Sequence, residues 1–309
     1  MRNPCGWAAL LSGAIAACST APDLTRYSAC LSAPGRQVSL RILPADEVMG
    51  RLEALEVSNP ARAERIEQLF EEAGCGDRLR TSPVDDDDQP NVLCEIAGQG
   101  DRVIVVGAHY DKVEIGQGAI DNWSGVALLP SLFRTLTGVA PRHTLRFVAF
   151  AAEESGLRGS RAYLEQLPDE ERSRIVAMVN LDTLGLGSPG IEFQGADPDL
   201  VCWCVLAARA AGVDLRAVNT YRIGTSDHQS FREAGIPAVI LHSLSQDTLS
   251  VMHSEEDTLA RVDRPAYLQT YRLLAFYLGL LDQSLTLDPP RDEAPPAAGR
   301  EADGTLSHS

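Results

Sequence analysis

Four stretches of the chain, residues 103–106, 147–152, 175–179 and 238–241, contain no polar side chain at all. Each is four to six residues long, too short for a buried helix and the right length for a strand covered on both faces. Around them, residues 61–73, 125–136, 159–167, 200–211 and 265–281 carry apolar side chains at helical spacing. This alternation predicts an α/β chain with a mainly parallel central sheet and helices on both sides. At 309 residues, 44% hydrophobic and 23% charged, such a chain can bury a sizeable core without metal or disulfide staples. Any metal it binds is therefore free for chemistry.

The ends differ from the middle. Residues 1–17 hold one positive charge, Arg2, followed by an apolar run too short to span a bilayer, the build of a secretory signal. Ile15-Ala16-Ala17-Cys18 resembles the bacterial lipobox, which implies a lipid anchor on Cys18 and export to the periplasm or outer membrane. Residues 18–34 are small and polar and fit a tether. The folded domain is expected over 35–283, and the Pro-, Asp- and Ala-rich residues 284–309 form a disordered tail. With 27 basic and 43 acidic residues, a net charge of −16, the chain is unsuited to gripping phosphate backbones. Nucleic acid is not an expected partner.

Setting aside Cys5 and Cys18, five cysteines remain: Cys30, Cys75, Cys94, Cys202 and Cys204. An odd number leaves at least one free or paired between chains. Cys75 and Cys94 flank a polar loop and can close it as a disulfide in an oxidising compartment. Cys202 and Cys204, two apart in a helical stretch, point to different sides and are not expected to pair. No CxxC occurs, so cysteine-based zinc chemistry has no support. The acidic run Asp85-Asp86-Asp87-Asp88 lacks the spaced ligands of a calcium loop and reads as a solvated turn.

In a parallel α/β sheet the ligand sits beyond the carboxyl ends of the strands. The residues found there are not random. His109-Tyr110-Asp111 follows the first apolar run, Glu153-Glu154 the second, and Asn180-Leu181-Asp182 the third. Asp121-Asn122-Trp123-Ser124-Gly125 opens a helix, and His253 follows the last strand by a loop. Singly each is unremarkable: paired glutamates are usually solvated, and a lone histidine is usually structural. Together they place two imidazoles and several carboxylates on one edge, where burial is costly unless positive charge meets them. Two metal ions would supply it.

These segments, with Ser226-Asp227-His228 and Asp257-Thr258, resemble in order the motifs of the M28 family of two-zinc exopeptidases. The resemblance spans roughly residues 40–282 and implies a three-layer α/β/α sandwich with a mixed, mainly parallel sheet. It implies one zinc on His109 and Asp182, a second on Glu154 and His253, and Asp121 bridging them. Asp111 would accept the His109 N–H and fix its tautomer. Glu153 would be the general base, freeing a metal-bridged hydroxide to attack the peptide carbonyl. A non-proline cis peptide is often found in the family where Asp121-Asn122 stands here. Asp227, His228 and Tyr221 fall on the substrate side, and Ser226 or Asp227 would also serve as a helix N-cap. Where some bacterial members carry a tyrosine that steadies the oxyanion, this chain has Ile223, leaving Tyr221 and His242 as substitutes.

The implied activity is removal of an N-terminal residue from peptides with a free amine. Alternatives within the fold are a carboxypeptidase, a dipeptidase or a glutaminyl cyclase, although cyclases rely on one zinc and three ligands whereas all five positions are kept here. A non-catalytic binding module would have lost ligands, and none is missing. A serine hydrolase lacks its Gly-x-Ser-x-Gly elbow at Ser124 or Ser226.

Overall fold

The computed structural model describes residues 38–85, 87–219 and 224–285. The expected signal and tether, Cys18, Asp86, Tyr221, Ile223 and residues 286–309 lie outside the described residues.

Eight strands run in chain order as β1 (Arg80–Ser82), β2 (Asn91–Ile96), β3 (Val103–His109), β4 (Thr144–Phe150), β5 (Ile175–Leu181), β6 (Gly190–Glu192), β7 (Arg216–Val218) and β8 (Ala238–His242). They form one sheet in the order β1-β2-β4-β3-β5-β8-β6-β7. The central strands β4, β3, β5 and β8 are parallel neighbours. Antiparallel pairs β1–β2, β2–β4 and β8–β6 extend them toward the edges. The sheet is therefore mixed around a parallel centre.

Three of the four apolar runs lie within central strands, and the fourth, 147–152, starts in β4 and runs two residues past its end. Side chains alternate across a strand: Ile104, Val106 and Ala108 of β3 face one core, while Val103 and Val105 face the other. The larger core lies under α1 (Ala45–Glu53), α2 (Asn59–Glu72), α3 (Leu128–Thr137), α6 (Pro198–Ala211) and α8 (Arg264–Ser284). The smaller packs Tyr163, Leu164 and Phe231 of α4 (Arg158–Gln166) and α7 (His228–Glu233) on the opposite face, and the short α5 (Asp169–Ser173) leads into β5. Helix starts follow local chemistry. Ser58, Asp197 and Asp263 accept backbone N–H groups at the starts of α2, α6 and α8, each with a proline in the first turn.

At the amino end of the sheet, Asp282 of α8 is clamped to the start of β4. Its Oδ1 accepts the backbone N–H groups of Arg142 and His143 at 2.8 and 2.7 Å and lies 3.2 Å from His143 Nδ1. Cys75 and Cys94 are joined in a disulfide, Cys202 is also disulfide-bonded, and Cys204 is buried and free. Among the described residues no helix is long and apolar enough to cross a membrane.

Candidate active site

From β3 the chain passes to β4 on one side and then to β5 on the other. This reversal opens a crevice at the carboxyl ends of β3 and β5. His109 ends β3 and Asp182 follows β5 directly.

Asp121 reaches the crevice from the loop between β3 and α3, where the Asp121-Asn122 peptide bond is cis. Asn122 ties that loop to β5: its Nδ2 donates to the Leu181 carbonyl at 2.9 Å, and its Oδ1 accepts from the N–H groups of Gly125 and Thr183. Gly125 is required by this close approach, since a Cβ would fall 2.4 Å from Asn122 Oδ1 and 2.6 Å from the Leu181 carbonyl oxygen. Asp257 holds the other side, accepting the N–H groups of Ile120 and Asp121 at 2.6 and 3.2 Å.

So held, Asp121 spans two imidazoles. Its Oδ1 lies 3.2 Å from His109 Nε2 and its Oδ2 3.2 Å from His253 Nε2. Asp182 Oδ1 is 3.6 Å from the same His109 nitrogen, and Glu154 Oε2 is 3.1 Å from the same His253 nitrogen. The structure thus brings all five expected ligands together in the expected pairs.

Asp111 meets the His109 ring with its main chain as well as its carboxylate. His109 Nδ1 is 3.2 Å from the main-chain oxygen of Asp111 and 3.5 Å from its carboxylate, so the carbonyl takes the ring N–H and leaves Nε2 facing the crevice. The carboxylate has a further task, its two oxygens accepting the N–H groups of Glu153 and Glu154 at 3.0 and 3.1 Å. Asp111 therefore sets the turn that carries both glutamates. The Glu153 carboxylate comes within 4.8 Å of the ligand atoms of His109 and Asp182.

Asp227 sits at the N-cap of α7 but makes no cap hydrogen bond, so its expected second role as a cap is not realised. Its side chain is fully buried, and neither oxygen has a partner of ordinary hydrogen-bond geometry among the described residues. Ser226 accepts from Asn180 Nδ2 at 2.8 Å instead. His228 is buried within α7, with Nε2 3.7 Å from Glu192.

The electrostatics are lopsided: among the described residues Asp111, Asp121, Asp182 and Glu154 form ion pairs only with His109 and His253, and Glu153 and Asp227 form none. Burial, then the neighbouring Asp227, Asp182 and Glu154, push Glu153 up to about 9 against the pull of His109. Burial also raises Asp227 to about 7, and burial with Asp121 raises Glu154 to about 7. His253 is raised to about 9, chiefly by its hydrogen bond to Asp121. Burial opposes protonation of His109, yet Glu153 and the carboxylates bonded to the ring raise its pKa well above the ordinary value. Asp121 is lowered, because the two imidazoles outweigh its burial.

The donor set suits zinc. In a tetrahedral site with bonds of about 2.0 Å the ligand atoms lie about 3.3 Å apart, and the four contacts above range from 3.1 to 3.6 Å. Glu154 Oε1 is buried with no hydrogen-bond partner among the described residues, a lone pair that a cation would satisfy.

Arg62 was not legible as a site residue. Its buried guanidinium donates to the carbonyls of Glu56, Tyr110, Gln117 and Gly118, bracing the loop that leads to Asp121. Burial lowers its pKa to about 10 against the pull of Asp257 and the site carboxylates. The available signal was its register: Arg62 precedes Ile66 by four residues and Leu69 by seven, on the apolar face of its helix. The backbone is also strained here. Ala152, Thr183 and His253 are three of the four non-glycine residues with left-handed φ among the described residues, and all adjoin or belong to the site.

The model of the family described as peptidase family M28 matches residues 91–278. Leupeptin-inactivating enzyme 1 of Streptomyces exfoliatus is 34% identical over 161 residues, covering 52% of this chain and 36% of that protein. The probable lipoprotein aminopeptidase LpqL of Mycobacterium tuberculosis is 30% identical over 230 residues, covering 63% and 46%. The solved structure of BSAP, a zinc aminopeptidase from Bacillus subtilis, superimposes with a TM-score of 0.57 at 28% identity, over 62% of this chain and 49% of that one. This chain thus spans about a third to a half of the length of these curated relatives. With the family model matching well over half of the chain, across the strands and loops that carry the cluster, the protein belongs to peptidase family M28.

Proposed function

We propose that the protein is an exported two-zinc aminopeptidase that removes the N-terminal residue of peptides. The observation that carries this is the placement of Asp121, one oxygen at 3.2 Å from each of two imidazoles. His109 and Asp182 would hold one ion and His253 and Glu154 the other, with Asp121 between them. Bound there, zinc lowers the pKa of water and polarises a peptide carbonyl.

The chain's own groups do the rest. Asp111 fixes the turn on which Glu153 and Glu154 sit, so that Glu154 would serve the metals and Glu153 the proton transfers. A Glu153 carboxylate oxygen takes a proton from the attacking water as oxygen bonds to the carbonyl carbon. It returns that proton to the leaving nitrogen as the C–N bond breaks, giving a free carboxylate and a shortened peptide. The surplus of carboxylates favours a substrate bearing a cationic α-amine, which accounts for attack at the N-terminus rather than within a chain. Export is supported by the N-terminal sequence, by the Cys75–Cys94 disulfide and by the likeness to a lipoprotein aminopeptidase. Any membrane attachment would be through lipid on Cys18.

The test is hydrolysis of aminoacyl-p-nitroanilides and their N-acetylated controls, before and after chelation and zinc return. Cleavage of free-amine substrates alone, lost with chelator and restored by zinc, is expected. Cleavage of blocked substrates, or activity indifferent to chelator, contradicts the proposal.

A further inference from the structure

The identity of the side chain that the site accepts is a separate question from the aminopeptidase proposal, although any answer to it rests on that proposal. Beside Asp182 lies a pocket of about 60 Å³, less than half of the roughly 150 Å³ in which an engineered protein cavity holds benzene. Ile240, Leu244 and Met252 supply apolar wall, but Thr183, His228 and His242 interrupt it. A substrate whose amine and carbonyl are held at the metal ligands would direct its first side chain into an adjoining pocket of this kind.

The two histidines are what a purely apolar pocket would lack. Nδ1 of His242 accepts the backbone N–H of Leu244 at 3.1 Å. A ring nitrogen that accepts carries no proton, so in the neutral ring the proton is on Nε2. That Nε2 is buried and has no hydrogen-bond partner among the described residues. For His228 the polarity is reversed. Its Nε2 faces the Glu192 carboxylate at 3.7 Å, itself bonded by Arg232 at 3.2 Å, which favours the proton on Nε2 and leaves Nδ1 as an acceptor. Nδ1 too is buried and unpartnered. Burial keeps both rings neutral, lowering His228 to about 3 and His242 to about 4. One donor and one acceptor thus remain unpaired, a condition that disfavours an apolar guest.

We propose that this pocket receives the side chain of the substrate's N-terminal residue and selects a short carboxamide, with His242 Nε2 donating to its oxygen and His228 Nδ1 accepting from its nitrogen. Asparagine and leucine have the same branched outline, so they separate hydrogen bonding from shape. Sites that read a polar group reject the analogue lacking it far more strongly than apolar pockets discriminate by size.

The zinc-loaded full chain is assayed with the p-nitroanilides of asparagine, leucine and phenylalanine. The expected kcat/KM for asparagine exceeds that for leucine by about 10- to 100-fold, with phenylalanine weaker still. His242→Phe removes the donor and should reverse the asparagine–leucine order, while His242→Gln, which replaces the N–H, should restore it. Should His242→Phe not fold, calorimetric binding of asparagine amide against leucine amide to zinc-loaded Glu153→Gln protein reads the same preference without turnover. Leucine cleaved or bound as well as asparagine overturns the inference and leaves the aminopeptidase proposal standing. Cleavage of no free-amine substrate overturns both.

Discussion

The molecule buries an imidazole against a carboxylate at both ends of its sheet, and the two places could hardly differ more. At the amino end, Asp282 takes two backbone N–H groups and lies beside the His143 ring, so the carboxylate is satisfied within the chain. Burial opposes its charge, but these bonds outweigh that and its pKa is lowered. At the carboxyl end, six carboxylates share two imidazoles, and Glu153, Glu154 and Asp227 are driven upward. A buried His–Asp pair is therefore not itself a sign of chemistry. Unmet charge is: the first pair is closed within the chain, while at the second the carboxylates outnumber the imidazoles that face them.

The largest expected effect breaks the open end without unloading it. Glu153→Gln should retain zinc but lower kcat by about 10²- to 10⁴-fold, measured as turnover alongside metal content. A fully active variant with intact zinc would remove Glu153 from its role. Breaking the closed end should do the opposite. Asp282→Ala leaves the Arg142 and His143 N–H groups without their acceptor, costing about 3 kcal/mol in urea unfolding, while the folded enzyme keeps its zinc and its kcat/KM. A loss of zinc in this variant would mean that the two ends are not independent.

Asp111 sharpens the comparison, being a carboxylate at the open end that is itself satisfied. Asp111→Asn can accept only one of the two glutamate N–H groups, and metal affinity or activity should fall about 10- to 100-fold, measured by competition with a zinc chelator. The smallest effect concerns His228. Its folded pKa, about 3, lies below the ordinary 6.5, so the unfolded chain binds the proton first as the medium becomes acid. Stability is then complete above pH 6.5 and falls as pH drops toward 3. Between pH 7 and pH 5.7 the loss is about 1 kcal/mol, and a His228→Gln variant should lack that part of the slope in urea unfolding.

How much of this could be read in the sequence depended on how strongly local chemistry spoke. The central strands β3, β4, β5 and β8 were legible because burial on both faces leaves no polar residue in their middle. The short strands β1, β6 and β7 were not, since three residues each are too few to show a period. β2 was hidden by Asn91 and Glu95. Asn91 is buried yet fully used, accepting from the Ala151 N–H and donating to the Gly159 carbonyl. In the site, His109, Glu153, Glu154 and Asp182 were legible because each follows an apolar run, and Asp121 and His253 because their segments resemble the family's motifs. Arg62, Asn122 and the bonds of Asp257 to the Asp121 loop were not, because their role is to hold backbone groups brought together only by the fold. The second task of Asp111 was hidden for the same reason, since spacing placed it near His109 but could not show that its oxygens also hold the Glu153–Glu154 turn.

The proposed aminopeptidase requires the carboxyl end of the sheet to hold two cations against its surplus of carboxylates. Zinc content after exhaustive dialysis, measured by elemental analysis on the wild-type chain and on Asp121→Ala and Asp282→Ala, tests it directly. Two ions per chain in the wild type and in Asp282→Ala, with both bound weakly or lost in Asp121→Ala, are predicted. A wild-type chain that holds no zinc, or an Asp121→Ala variant that still holds two, would contradict the account.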